Sequence, residues 1–358
     1  MKLNEICSKG KSSLRQKDVF NDGPYIVYGA SGVVGTTSDY QNEIPYVAIV
    51  KDGAGVGRAN ACEPKTSVLG TMQALIPNPN VERDYLLHLV RSLRLGEGFS
   101  GSTIPHIYFK DYGRIEVPLP PLGAQKRIIS QLRLVEAQIT QAEAQIEQLD
   151  QLAKSRFVEM FGDPAANPHI LPVEKLSKLG LLERGRSKHR PRNAPELRSG
   201  PDGPYPLIQT GDIANAGLYL DTYEETYTEL GLRQSRMWPR GTLCITIAAN
   251  IAQTSILAID ACFPDSVVGF TPGARISNVF LHYWFGFFQE VLEKQAPQAA
   301  QKNINLKILS NLNVIVPPLE SQGEFAAFAS QVDKSRFVRD HEMNFRWERF
   351  TLSWSTIA

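Results

Sequence analysis

Apolar residues recur along one stretch of the chain with a regularity that decides its structure. Ile128, Leu132, Val135, Ile139, Ala142, Ile146, Leu149 and Leu152 follow one another at steps of four and three, the seam of a coiled-coil helix. The stretch holds no proline and a single glycine near its start, and Gly162, Asp163 and Pro164 supply a stop signal. From Leu122 to Phe161 such a helix measures roughly 60 Å at 1.5 Å per residue. Its apolar stripe needs a cover. The helical tail after the second Pro-Pro-Leu, Pro317 to Leu319, is the expected one, lying antiparallel.

The flanks read differently. Short β-branched runs such as TSVLGTMQALI and TSILAI alternate with turn residues, and each flank carries one helical segment, Tyr85 to Arg94 and Val279 to Gln295. The flanks are also copies of one another. VPLPPLGAQ (Val117 to Gln125) returns as VIVPPLESQ (Val314 to Gln322), with Pro120 and Pro317 197 positions apart, and the same shift places Ile107 on Ile304, Phe109 on Leu306 and Ile115 on Leu312. Upstream, PYVAIVKDGAGVGR (Pro45 to Arg58) and GTLCITIAANIAQTSIL (Gly241 to Leu257) are both apolar runs broken by small and polar residues. A period this long marks a duplicated domain, since solenoid repeats recur every 20 to 50 residues or so. The expected fold class is α/β (α+β): a globular domain over 1–121, a coiled-coil spacer helix over 122–163, a second globular domain over 172–318, and a helical region over 319–358.

Composition narrows the class without naming a function. A hydrophobic fraction of 42% with 21% charged residues is that of a folded globular protein. The start, MKLNEICSKGKSSLRQ, lacks the apolar core of a signal peptide, and no stretch approaches the roughly 18 apolar residues that span a bilayer, so a cytoplasmic protein is expected. Cys7, Cys62, Cys244 and Cys262 form no CxxC pair and read as reduced, buried thiols. The net charge of +1, from 38 basic and 37 acidic residues, means that any nucleic-acid-binding charge must be local.

With the repeat established, several motifs acquire a context. They are the helix entry PLPPLGAQKRI, the helix exit KSRFVEMFGDP (Lys154 to Pro164), RGRSKHRPRNAPEL (Arg184 to Leu197), GPYPLIQTGDI (Gly203 to Ile213) and QAAQKNINLKILSNLNVIVPPLESQ (Gln298 to Gln322). In this order and at duplicated spacing, the chain resembles the specificity subunits of type I restriction-modification systems over nearly its whole length. The resemblance implies two target-recognition domains that read a bipartite double-stranded DNA sequence, one part each, with the gap set by the helical spacer. It further implies two modification methyltransferase subunits docked on the helices, with the seam residues Ile128, Leu132, Val135, Ile139, Ile146 and Leu149 as partner-binding candidates, and a restriction motor subunit. S-adenosylmethionine, ATP and magnesium would then belong to those partners, leaving this chain without cofactor or metal. One departure stands out. After QVDKSRF (Gln331 to Phe337) the family continues as a second long helix, whereas VRDHEMNFRWERFTLSWSTIA lacks a sustained heptad, so a truncated or altered C-terminal region is expected.

The motifs of the partner activities are missing. There is no Asn or Asp followed by PPY or PPF, no GxxxxGK[ST] and no HExxH. GASGVVG (Gly29 to Gly35) is GxxGxxG and reads as a turn. Asp52 with Glu63 and Lys65 mimics the D…ExK set of metal-dependent nucleases, but Pro64 would interrupt the strand that presents such a pair, and charges beside a turn are the better reading. No catalytic residue is expected.

For DNA contact, Arg184, Arg186, Lys188, Arg190 and Arg192 place five positive charges within nine positions, a loop suited to lie along phosphates. Base reading needs forked or bidentate groups. Candidates are Gln209, Thr210, Asn250, Gln253, Lys302 and Asn303 in the second domain, and Tyr28, Ser31, Lys51, Arg58 and Ser102 in the first. Turn capping competes with base contact at each. The aromatic run Tyr283, Trp284, Phe285, Phe287 and Phe288 reads as core. The competing functions are a stand-alone nuclease or methyltransferase, and a coiled-coil adaptor without DNA specificity.

Overall fold

The computed structural model describes every residue except 54, 98–104, 190, 192, 249–250, 289–303 and 337–358. The chain divides into two units, one within Met1–Ala142 and one within Glu143–Asp340.

The first unit is built on a four-stranded sheet in the order β1 (Cys7–Lys9), β7 (Met72–Pro77), β4 (Tyr46–Val50), β5 (Ala59–Cys62). Every residue of β4 is buried, because both faces of the sheet are covered. Successive side chains of a strand point to opposite faces. Val47 and Ile49 accordingly enter a core with helix α1 (Leu3–Ile6) and helix α2 (Arg83–Ser92), whereas Tyr46, Ala48 and Val50 enter a second one with Val68, Met72 and Ala74. That second core is closed by a three-stranded sheet, β3 (Gly32–Thr37), β2 (Tyr25–Gly29) and β6 (Ser67–Val68). GASGVVG forms the tight hairpin between β2 and β3, where Gly29 pairs with Gly32.

The second unit repeats the plan. Its main sheet runs β9 (Gly180–Arg184), β17 (Val267–Pro272), β14 (Leu243–Thr246), β15 (Thr254–Leu257), extended by β11 (Tyr219–Leu220). β10 (Tyr205–Leu207) pairs parallel with β16 (Ala261–Cys262) and antiparallel with β12 (Glu225–Tyr227), as β2 pairs with β6 and β3; β13 (Met237–Trp238) extends this smaller sheet. α2 buries Tyr85, Leu86, Leu89 and Val90. Its counterpart in the second unit, the helix Asn278–Phe285, buries Phe280, Leu281, Trp284 and Phe285 at the same spacing. The aromatic run is core, as the sequence suggested. β8 (Val173–Lys175) pairs with β18 (Asn313–Ile315), and in the first unit Lys2 bridges Glu116 in the same sense. All four cysteines are free and buried.

The periodic stretch is one helix of 40 residues, Leu122–Phe161, closed by Gly162 at φ +74°. Its ends belong to different cores: Ile129 and Leu132 pack in the first unit, Phe157 and Phe161 in the second. Between them the seam is only half covered. Ile128, Val135, Ile139, Ala142, Ile146 and Leu149 are intermediate in burial, and Leu152 is 50% exposed. A second helix over residues 319–336 buries Gln322, Phe325, Ala329 and Val332. The Phe325 ring lies 5.4 Å from Phe157 and 5.7 Å from Phe161, while Arg336 Nε lies 3.7 Å from Asp150 Oδ1. Rising numbers on one helix meet falling numbers on the other, so the two are antiparallel. The rest of the C-terminal region, 337–358, lies outside the described residues.

Candidate nucleic-acid interface

One end of each main sheet gathers several of the candidate residues among those described. In the second unit, β9 and β14 finish where β15 and β17 begin. A row of backbone bonds runs across that end: Gly185 N–H donates to Val267 O at 2.9 Å, Thr246 pairs with Val267, and Thr246 N–H donates to Gln253 O at 3.0 Å. The basic segment that leaves β9 and the turn that carries Gln253 therefore emerge from one edge, about 14 Å apart across three strand spacings, close to the major-groove width of about 12 Å. The connection 263–266 ties them together. Ser266 O accepts from Ile247 N–H at 3.0 Å, and Asp265 O accepts from the Arg184 guanidinium. Cys262 O at its start accepts from Ile208 N–H at 2.8 Å, which brings Gln209 toward the same edge.

The first unit has the same construction. Gly10 N–H donates to Ala74 O at 2.9 Å, Val50 pairs with Met72, and Val50 N–H donates to Arg58 O at 2.8 Å. The turn before β7 plays the role of 263–266: Thr71 O accepts from Lys51 N–H at 3.0 Å, and Leu69 N–H donates to Tyr28 O at 3.0 Å. Tyr28, Lys51 and Arg58 thus converge on one edge.

The candidates differ in what their side chains do. Arg186, Lys188, Gln253 and Arg58 are exposed, as is Ser31 at its hairpin tip. Arg58 Nε reaches Gly55 O at 3.4 Å. Tyr28 is half-buried, and burial pushes its phenol above the ordinary value. Gln209 precedes the short helix Thr210–Asn215, where its N–H donates to Asp212 Oδ2 at 2.7 Å and its amide meets Glu225 at 3.5 Å; capping is its visible work, and Thr210 opens that helix. Ser102, Arg190, Arg192, Asn250, Lys302 and Asn303 lie outside the described residues. The nuclease-like set does not assemble. Asp52 follows β4, whereas Glu63 follows β5 at the opposite end of that strand pair, about 20 Å away at 3.3 Å per residue. Asp52 Oδ1 is held 2.6 Å from His106 Nδ1, and Glu63 pairs with Arg83 at 2.8 Å. Among the described residues no group of three metal-ligating side chains occurs, and no helix is long and apolar enough to cross a membrane.

Basic density along the sequence overlooks a second basic segment. Lys9-Gly10-Lys11-Ser12 leaves β1 as Arg184-Gly185-Arg186-Ser187 leaves β9, with Lys9 and Lys11 exposed. Both glycines are required by close approach: a Cβ on Gly10 would lie 2.5 Å from Asn42 Oδ1, and one on Gly185 2.3 Å from Pro264 O. The signal was present in the spelling of the two tetrapeptides. So was a second one, since Gly-Pro-Tyr at 23–25 and 203–205 opens β2 and β10 alike.

The site is thus a duplicated sheet edge carrying basic runs and exposed polar side chains, on a chain threaded by one long helix. The chain belongs to the type I restriction modification DNA specificity domain family, whose model matches residues 1–151 and 186–339. It is 25% identical over 268 residues to the type I restriction enzyme EcoBI specificity subunit of Escherichia coli, a match spanning 66% of this chain and 56% of that protein. To the EcoDI specificity subunit of Escherichia coli it is 22% identical, over 93% of this chain and 80% of that one. Its fold is similar to that of the type I restriction-modification S subunit from M. genitalium, with a TM-score of 0.53 and 14% identity over 100% of this chain and 94% of the other.

Proposed function

We propose that this chain is the specificity subunit of a type I restriction-modification complex: a non-catalytic, cytoplasmic protein that reads a bipartite DNA target, one half with each unit. The observation that carries this reading is the duplication of the sheet edge itself, with a K-G-K-S or R-G-R-S run at one corner and an exposed Arg58 or Gln253 at the other. Basic runs position a protein on phosphates without reading sequence, while forked side chains discriminate bases. The half-covered seam, Ile128, Val135, Ile139, Ile146 and Leu149, is where methyltransferase subunits, two in number, would bury apolar surface; Leu132, the sixth seam candidate, is already buried in the core of the first unit and is not open to a partner. A restriction motor subunit completes the assembly, and S-adenosylmethionine, ATP and magnesium are held by these partners.

The test is an exchange. Replacing residues 172–316 by the equivalent region of another specificity subunit, and sequencing methylated DNA from cells that carry the cognate methyltransferase, should change one half of the target and leave the other intact. A change in both halves together would overturn the two-reader model.

A further inference from the structure

Arg58 and Gln253 occupy the same position of the duplicated fold. In the first unit Val50 N–H donates to Arg58 O at 2.8 Å and Gly57 N–H donates back to Val50 O at 2.8 Å. In the second, Thr246 N–H donates to Gln253 O at 3.0 Å and Ala252 N–H donates back to Thr246 O at 2.9 Å. The preceding residue is left-handed in both, Gly57 at φ +85° and Ala252 at φ +61°. A side chain with a Cβ is disfavoured there, so the second unit keeps this backbone bend against its own local preference. Thr246 Oγ1 adds a further clamp, accepting from Gln253 N–H at 3.0 Å.

Backbone atoms hold both positions; Arg58 adds one side-chain bond, its Nε donating to Gly55 O at 3.4 Å, and both residues are exposed. Each stands on a backbone fixed by two main-chain bonds, which is what a base-reading group needs to be held in register. Each stands at the sheet end from which a basic segment, Lys9–Lys11 or Arg184–Lys188, also leaves. The two side chains differ in the one respect that matters for recognition. A guanidinium presents two donors to guanine O6 and N7, whereas a carboxamide presents a donor and an acceptor to adenine N7 and N6.

We propose that Arg58 and Gln253 are the equivalent base-reading side chains of the two units, Arg58 selecting guanine in one half of the target and Gln253 selecting adenine in the other. This rests on the function proposed above. The experiment expresses the full chain with its methyltransferase, as parent, Arg58→Gln, Gln253→Arg and Arg58→Lys, and reads each methylated motif by sequencing. Arg58→Gln should exchange one guanine for adenine in one half only, and Gln253→Arg one adenine for guanine in the other half only. On purified complexes, the preference for the parental duplex over one altered at that base should fall by roughly 5- to 150-fold. Arg58→Lys keeps the charge and can still donate to guanine O6 and N7 without the fork, so it should retain non-specific binding and the choice of guanine. If Arg58→Lys selects a different base, or if Arg58→Gln weakens all duplexes by the same factor, Arg58 does not read guanine and the proposal fails. A parental motif that is not bipartite would overturn the function itself, whereas a bipartite motif left intact by both exchanges overturns this inference alone.

Discussion

The Gln322 side-chain carbonyl accepts the Ser277 N–H at 2.8 Å, and its amide donates to Arg275 O at 3.1 Å and Pro317 O at 2.8 Å. Gln125 does the same in the first unit, accepting from Glu82 N–H at 2.8 Å and donating to Asn80 O and Pro120 O, both at 2.9 Å. Both glutamines are fully buried, and both cap the helix that backs the main sheet. Gln322→Leu leaves one donor and two acceptors unpaired in the interior, which costs about 2–4 kcal/mol. Chemical denaturation of the variant should show that loss, and a loss below about 1 kcal/mol would mean that water replaces the clasp.

The two basic runs should act alike and independently of sequence. Arg184→Ala with Arg186→Ala, or Lys9→Ala with Lys11→Ala, should weaken binding to every duplex and reduce the slope of log K against log salt by about 0.9 for each phosphate no longer neutralised. Titrations at several salt concentrations provide the check. An unchanged slope for the lysine pair would confine phosphate binding to the second unit.

Acid should loosen the second unit through His282. Its ring lies 3.0 Å from the Thr254 hydroxyl, and burial holds its pKa down to about 4, with Arg336 adding to the effect. An unfolded histidine titrates near 6.5. Between these values the unfolded chain binds a proton that the folded chain refuses. Stability present above pH 6.5 is therefore lost as pH falls toward 4, by about 2 kcal/mol once partial exposure is allowed for. His282→Gln should flatten that part of the stability profile; an unaltered profile would assign the acid sensitivity elsewhere.

The long helix offers a mechanical test. Four residues inserted near Gln141 add roughly 6 Å and leave a rotation of about 40°, while two add about 3 Å with a rotation of about 200°. B-DNA advances about 3.4 Å per base pair along each strand. The four-residue variant should methylate a target whose gap is longer by one or two base pairs, and the two-residue variant should lose specific methylation. A parental gap in the four-residue variant would show that the helix does not set the spacing.

The long helix was legible from Leu122 to Phe161 because period, proline and glycine agree on it, and the duplication was legible wherever Pro-Pro-Leu anchors the alignment. The cover was legible too, since the helix after the second Pro-Pro-Leu lies antiparallel on Phe157 and Phe161; the face it meets was not, because a strict heptad drifts from the packed face and Ala153 and Phe157 are buried while Leu152 is exposed. The pairing of Arg58 with Gln253 was hidden for a different reason. The intervening turns differ in length, so the offset between the units is 197 at the prolines, 195 at these two residues and 180 at Tyr25 and Tyr205. Only the backbone bonds align them. The tetrapeptide at Lys9 escaped because its kinship with Arg184–Ser187 shows only once β1 is matched to β9, and Gln209 shows the opposite hazard, a polar break whose visible work is to cap a helix.

Every group that the two glutamines touch is a main-chain atom. Those bonds consequently do not depend on which side chains the loops carry, and side-chain identity enters the joint elsewhere, where the Phe157 and Phe161 rings pack on Phe280 at 5.2 and 5.1 Å. A foreign module spliced in ahead of Gln322 needs the same loop shape and an aromatic face like that of Phe280 and Tyr283 to be locked in place. Such a coupling lets the loops at the sheet edge vary while the fitting stays constant.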